Sequence, residues 1–222
     1  MRVVGVIPAA GRASRLQPLR GSKELLPVHG RPVLDYLVER MRLAHPEEIR
    51  VVTTPDKRDV IEHARRAGLA VVEGRPPTAA ASIALGAQDL AAGDVVLIGF
   101  PDTVWDPVDG YARLVPRLAA ADVVVGIFPA RDGEQVRRSD VVLLDEAGRV
   151  LAIEVKPEQA SSHLIWGLAA ARRRALEDLA RHEHPGHLFD ELARGGATVV
   201  GVELPGFFID IGTPEALEAA QS

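Results

Sequence analysis

Four short apolar runs in the first hundred residues, at 3–7, 49–53, 70–73 and 94–98, alternate with stretches of helical periodicity. No other feature of the chain restricts its fold as much. Each run has strand length and is rich in Val and Ile. Between them, Val33, Leu34, Leu37, Val38 and Met41 recur on one helical face, residues 57–67 form a second helical pattern closed by Gly68, and Thr78 caps an Ala-rich third running to residue 91. Strands separated by helices pair in parallel through right-handed crossovers, so an α/β fold is expected: an open, mostly parallel, Rossmann-like sheet with flanking helices. Ligands of such sheets bind beyond the carboxyl ends of the strands, which puts Gly11, Arg15 and the turn Phe100-Pro101-Asp102 on one rim.

The pattern changes after Leu118. Closely spaced strand-like runs follow at 122–128, 139–144, 150–156 and 163–168, with hairpin chemistry at Asp145-Glu146-Ala147-Gly148. They predict an antiparallel portion added to the parallel sheet, forming the other wall of the cleft. Helical patterns return at 172–181 and 188–194, two strands at 198–203 and 207–211 follow, and Thr213-Pro214-Glu215 opens a final helix. There is no linker or repeat. We read one domain over 1–222, with a first half of about 1–118 and a closing half of about 119–222.

The densest chemistry lies between Val3 and Pro32, in VVGVIPAAGRASRLQPLRGSKELLPVHGRP. A strand stopped by Pro8 feeds the small-residue turn Ala9-Ala10-Gly11, where backbone N–H groups can approach an anion. Arg12, Arg15, Arg20 and Lys23 follow and can take up its charge. The alternative for such a turn is an ordinary βα connection with solvated arginines. Leu16, Pro18 and Pro27, interleaved with the basic residues, argue that the segment is held against the sheet.

These residues resemble the signature of the sugar-1-phosphate nucleotidyltransferases, in particular the glucose-1-phosphate thymidylyltransferase-like branch. AAGRASRLQPL followed by SKELLPVHGRPVLDY matches a Gly-rich loop, Thr-Arg-Leu-x-Pro and Ser-Lys-x-Leu-Leu-Pro, with Ala13 and Ser14 standing where the family has Gly and Thr. The resemblance implies the nucleotide-diphospho-sugar transferase fold, with the first half binding nucleotide and the second the sugar. It implies that Ala10 and Gly11 pack near the nucleotide, and that Arg15 and Lys23 are the catalytic cations on its phosphates. Asp102 matches the family's first magnesium ligand. Asp210, in FFIDIGTPE, matches the second. Lys156, in Val155-Lys156-Pro157, matches the lysine that meets the sugar phosphate, with Val155 in place of a sugar-contacting acid. Asp140 stands at a sugar-contacting glycine and Gly167 at another. Glu73 and Thr78 fall where relatives read the base. Asp140 and Val155 lead to the expectation that glucose 1-phosphate fits poorly.

The implied reaction is Mg²⁺-dependent transfer of a nucleotidyl group from a nucleoside triphosphate, dTTP or UTP, to a sugar 1-phosphate. Two alternatives stand beside it: a cytidylyl- or uridylyltransferase for another phosphorylated small molecule, and a non-catalytic regulatory relative that binds sugar nucleotides. A net charge of −5 without a basic stripe argues against a nucleic-acid partner, and no run of some twenty apolar residues predicts a membrane span. The absence of cysteine excludes a thiolate nucleophile and suits a soluble, cytoplasmic protein. A homo-oligomer is compatible with the sequence, which fixes no oligomeric state. His182, His184 and His187 beside Pro185-Gly186 read as an exposed turn, Arg172-Arg173-Arg174 as a solvated helix face, and Lys23 as part of an exposed loop. There is no Gly-x-Ser-x-Gly and no Gly-x-Gly-x-x-Gly, which counts against a serine hydrolase and a dinucleotide oxidoreductase.

Overall fold

The computed structural model describes residues 1–11 and 21–221. The chain opens with β1 (Val3–Pro8), passes a 3-10 turn at Lys23–Leu25 and the short strands β2 (Pro27–Val28) and β3 (Arg31–Pro32), and enters helix α1 (Val33–Arg42). Then come β4 (Glu48–Thr53), α2 (Arg58–Arg66), β5 (Ala70–Glu73), α3 (Ala79–Gly86) and β6 (Val95–Gly99). There follow β7 (Thr103–Trp105), α4 (Gly110–Leu114), β8 (Val123–Pro129), α5 (Gly133–Arg138), β9 (Asp140–Leu144), β10 (Val150–Val155) and β11 (Leu164–Arg172). The chain ends with α6 (Pro185–Arg194), β12 (Val199–Glu203), β13 (Phe208–Asp210) and α7 (Pro214–Gln221).

Nine of these strands form one sheet in the order β10-β9-β11-β6-β1-β4-β5, with β8 on β11 and β12 on β8. β1 pairs in parallel with β4 on one side and β6 on the other, and β5 joins β4 in parallel. The chain therefore winds outward from β1 to β5, then returns to the other side of β1 as β6. The crevice at such a reversal is where open α/β sheets bind ligands. β11 runs antiparallel to β6 and β8, and β9 and β10 form an antiparallel pair beyond it. The expected α/β class with an added antiparallel portion is the observed one.

Alternation along the strands builds two cores. In β1, Ile7 packs with Leu37 and Met41 of α1, Val60 of α2 and Tyr111 of α4, while Val4 and Val6 face Ile83 of α3 and, beyond it, Leu188 and Phe189 of α6. Strands buried on both faces this way need continuous apolar runs, as the sequence has. A third cluster joins Val28, Val33, Val104, Ile209, Ile211 and Ala220. It fastens the ribbon β7–β13, in which Asp210 pairs with Thr103, against the start of α1.

Four expectations are corrected. The helix expected over 172–181 is the end of β11 followed by 3-10 turns at Arg173–Leu176 and Leu179–Arg181. Ala169, Ala170 and Ala171 have helix-forming side chains, but they lie fully buried between β6 and β8, and tertiary pairing overrides propensity. The arginines beyond them are not a solvated helix face: Arg172 donates to the carbonyls of Leu118 and Gly93, Arg173 to that of Ala87, and Arg174 to the Asp122 carboxylate. α3 stops at Gly86, short of residue 91, where Arg50 and Arg173 take the last carbonyls, those of Gly86 and Ala87. Pro185-Gly186, expected as an exposed turn, is the buried first turn of α6.

Candidate active site

The carboxyl ends of β1, β4 and β6 open into a cleft of about 1090 Å³, whose other wall comes from β9, β11 and the start of α6. Ligand pockets run to roughly 300–1,000 Å³, so this cleft lies at the large end of that range. At its floor the chain leaves β1 with the Ala9 N–H donating to the Val52 carbonyl at 2.8 Å. The Ala9 carbonyl accepts from Lys57 Nζ at 2.9 Å, and the same ammonium donates to Glu24 Oε1 at 2.7 Å. Glu24 is fully buried, and burial pushes its carboxyl pKa above the usual value against the opposing pull of Lys57. This pair clamps the Ser-Lys-Glu-Leu-Leu-Pro segment under the start of the loop. Ala10 and Gly11 line the cleft, and a Cβ built on Gly11 meets nothing within 4 Å among the described residues. Arg15 lies outside the described residues.

Asp102 stands just past β6, in a turn closed by Thr103 Oγ1 donating to the Phe100 carbonyl at 2.8 Å. The Ile211 N–H donates to the Asp102 carbonyl at 2.9 Å, so the ribbon β7–β13 brings Asp210 to the same end of the cleft. The Gly212 N–H donates to Asp210 Oδ1 at 2.8 Å. Lys23 Nζ lies 2.6 Å from Asp102 Oδ2. Burial opposes the Lys23 charge, but Asp102 first, then Glu24 and Asp210, outweigh it and raise the ammonium pKa. Lys23 is therefore a largely buried, paired cation, not a residue of an exposed loop.

Among the described residues no three His, Cys, Asp or Glu side chains cluster to hold a metal, so the donor set here is two carboxylates. Two carboxylates completed by substrate phosphates and water suit Mg²⁺, a hard cation with oxygen ligands. The ammonium seated on Asp102 shows that this carboxylate faces positive charge. The residues fit the ion.

On the far wall Lys156 follows β10 with φ of 46°, a left-handed conformation costly for a side-chain-bearing residue, and it lines the cleft. Asp140 also lines it but is only 5 % exposed. Its Oδ2 lies 2.7 Å from His184 Nδ1 and accepts from Trp166 Nε1 at 3.2 Å. Asp140, expected beside the sugar, thus reaches the cleft with its carboxylate also engaged by internal partners. Thr78 lines the cleft as the cap of α3, accepting from the Ala81 N–H at 3.0 Å and donating to the His182 carbonyl at 3.1 Å.

Three expected contacts are not brought to the cleft lining. Glu73 ends β5 on the surface, facing Arg65 at 3.4 Å. Gly167 lies beneath Phe208, whose ring a Cβ there would strike. Val155 packs toward Gly186 of α6. Residues not expected at the site also line the cleft, Lys57 and His184 among them. The signal for Lys57 was its place at the start of α2, just beyond the carboxyl end of β4. For His184 it was the following Pro185, which marks an N-cap and not a loose turn.

The sequence profile of the MobA-like NTP transferase domain matches residues 5–196. The chain belongs to this family. It is accordingly a nucleotidyltransferase, and relatives named as sugar-nucleotide enzymes align with nearly all of it. The glucose-1-phosphate thymidylyltransferase of Neisseria gonorrhoeae is 30 % identical over 237 residues, covering 98 % of this chain and 81 % of that protein. The UTP–glucose-1-phosphate uridylyltransferase AglF of Haloferax volcanii is 24 % identical over 230 residues, covering 97 % and 94 %. In three dimensions this MobA-like transferase overlays UDP-glucose pyrophosphorylase, solved with UDP-glucose, with a TM-score of 0.84 at 18 % identity over 100 % of this chain and 97 % of that one. The shared architecture is the nucleotide-diphospho-sugar transferase fold.

Proposed function

We propose that this enzyme transfers a nucleotidyl group from dTTP or UTP to a sugar 1-phosphate with the help of Mg²⁺. The observation that carries the reading is the meeting of Asp102, Asp210 and Lys23, from three separate parts of the chain, at one end of a cleft whose other wall holds Lys156. The names of the relatives support the two substrate classes.

The acceptor phosphate oxygen forms a bond to the α-phosphorus, the bond between that phosphorus and the α–β bridging oxygen breaks, and pyrophosphate leaves. Such a displacement needs alignment and charge neutralisation more than acid–base groups. The backbone at Ala10 and Gly11 lies open to a close phosphate. Lys23 exchanges Asp102 for the α-phosphate region, Arg15 grips the departing pyrophosphate, and Lys156 holds the acceptor phosphate opposite. Mg²⁺ held by Asp102 and Asp210 supplies further neutralisation of the phosphate oxygens. Base and acceptor are read elsewhere in the cleft.

Pyrophosphate release over a grid of dTTP, UTP and CTP against several sugar 1-phosphates, with and without Mg²⁺, tests this. The expected result is release that requires the metal and an acceptor together, with a thymidine or uridine nucleotide best. Release without an acceptor, or none with any pair, contradicts it. A purely regulatory relative gives the second outcome.

A further inference from the structure

Asp140 and His184 make a buttressed imidazole on the acceptor wall of the cleft. Two groups face His184 Nδ1: the Asp140 carboxylate oxygen at 2.7 Å and the Gly186 N–H at 3.4 Å. A carboxylate only accepts, and two bare acceptors at 2.7 Å would repel, so the far shorter contact puts the hydrogen on Nδ1 and leaves the Gly186 N–H a long, weak neighbour. That fixes the tautomer: in the neutral ring Nε2 is an acceptor. The ring is held on three further sides. Phe100 stacks on it at 5.4 Å between centroids with 12° between planes, and Trp166 packs at 5.9 Å. Behind it, the Thr78 hydroxyl ties the loop to α3 through the His182 carbonyl. Asp140 in turn sits against the first turn of α6, where a Cβ on Gly186 would come within 2.6 Å of Oδ2, and the partial positive charge of the helix start favours a carboxylate there. No hydrogen bond to His184 Nε2 is made among the described residues, although the ring lines the cleft.

We infer that His184 is the specificity-determining residue for the acceptor, its Nε2 accepting a hydroxyl hydrogen of the sugar, with Asp140 as the positioning residue that sets the tautomer. The inference rests on the transferase reading above and names which side chain reads the acceptor. A polyhydroxylated phosphate fits this wall: Lys156 supplies the charge for the phosphate, and the imidazole meets one hydroxyl. An unpaired Nε2 facing a deoxy position would lose that bond.

The test uses two isosteric halves of the ring. In His184→Asn the amide nitrogen replaces Nδ1 and keeps the bond to Asp140, but nothing replaces Nε2. In His184→Gln the amide oxygen reaches toward where Nε2 stood and can accept. Kinetics are measured with the hexose 1-phosphate that wild type uses best and with its monodeoxy analogues. In wild type, one deoxy position should lower kcat/KM about tenfold, the size of one hydrogen bond. His184→Asn should lose about the same factor on the parent sugar and become indifferent to that position, while KM for the nucleotide stays within about twofold. His184→Gln should recover part of the loss. Asp140→Asn, which admits either tautomer, should raise the acceptor KM less than His184→Asn does.

Deoxy steps of equal size in wild type and His184→Asn overturn the inference, as does an effect confined to the nucleotide KM. If wild type turns over no pair, the transferase reading fails, and the inference is then judged by binding. Trp166 lies against His184, so a panel of hexose 1-phosphates titrated against tryptophan emission reports on this wall, and the one wild type binds most tightly is carried into the variants. Binding weaker by about tenfold in His184→Asn supports the assignment, and an unchanged Kd removes it.

Discussion

Lys23 and Lys156 illustrate opposite ways of holding a cation beside a phosphate. Lys23 is packed against Asp102 at 2.6 Å and lies mostly out of solvent. Lys23→Ala should raise the barrier to turnover by about 2–4 kcal/mol, as removal of an electrostatic stabiliser does. It should also cost roughly 1–3 kcal/mol of stability, because Asp102, only 9 % exposed, loses the ammonium it faces. Thermal unfolding beside steady-state rates checks both, and a variant that melts like wild type would show the pair to be solvated. Lys156 is exposed and held at φ of 46°. Lys156→Gly should leave stability unchanged or raise it by about 0.5–1 kcal/mol, since glycine adopts that angle without strain. The same change should weaken the acceptor, raising its KM. Denaturant midpoints together with acceptor kinetics reveal whether the two effects carry opposite signs. Single residues of this kind were legible in part. Asp102 stood out because a charge follows an apolar strand, Lys23 because basic residues follow a small-residue turn and lead into an apolar run, and Lys156 only through the family resemblance. His184 did not, because its partner Asp140 comes from another strand and only folding joins them.

At the scale of elements, the ribbon β7–β13 decides whether two distant aspartates act together. Its three paired positions, Phe208 with Trp105, Ile209 with Val104 and Asp210 with Thr103, set the register that carries Asp210 to Asp102. Asp102→Asn and Asp210→Asn change little volume, so each should keep the fold and bind nucleotide without metal. Each should lose Mg²⁺-dependent turnover by about a hundredfold or more. Normal Mg²⁺ dependence in either variant would make that aspartate structural. Elements in the alternating half were readable because each has one period throughout: β5 over Ala70–Glu73 and the left-handed stop at Gly68 (φ of 72°) follow from their residues. The strand expected to end at Leu168 runs on to Arg172, because three alanines show neither β-branching nor an alternating pattern. What makes them a strand is the pair of neighbours β6 and β8, which lie far away in sequence.

For the whole molecule, the winding out to β5 and back to β6 makes the cleft, and the buried Glu24–Lys57 pair ties the phosphate segment to its floor. Burial raises the Glu24 pKa in the folded state above the usual carboxylate value of 4.5. Between those two values the folded state holds more protons than the unfolded one, so stability falls as pH rises through that window. Wild type should therefore lose stability relative to Glu24→Gln from pH 4.5 upward, and the difference should level off once Glu24 is ionised in both states. Denaturation curves of the two proteins over pH 4–8, a span bracketing ordinary carboxylate titration, test the sign. A difference that stays flat across this span contradicts the placement of an unsolvated carboxyl beneath the loop. The parallel sheet and its rim could be foreseen because alternation and handedness leave few topologies. The pairings within the acceptor wall could not, because they depend on how β9, β11 and α6 meet. The most direct measurement of the central claim is ³¹P NMR of the enzyme with dTTP or UTP, a hexose 1-phosphate and Mg²⁺. The paired resonances of a nucleoside diphosphate sugar should grow in step with pyrophosphate, both absent when the acceptor or the metal is omitted; nucleoside monophosphate and pyrophosphate appearing without any diphosphate sugar would contradict transfer to a sugar phosphate.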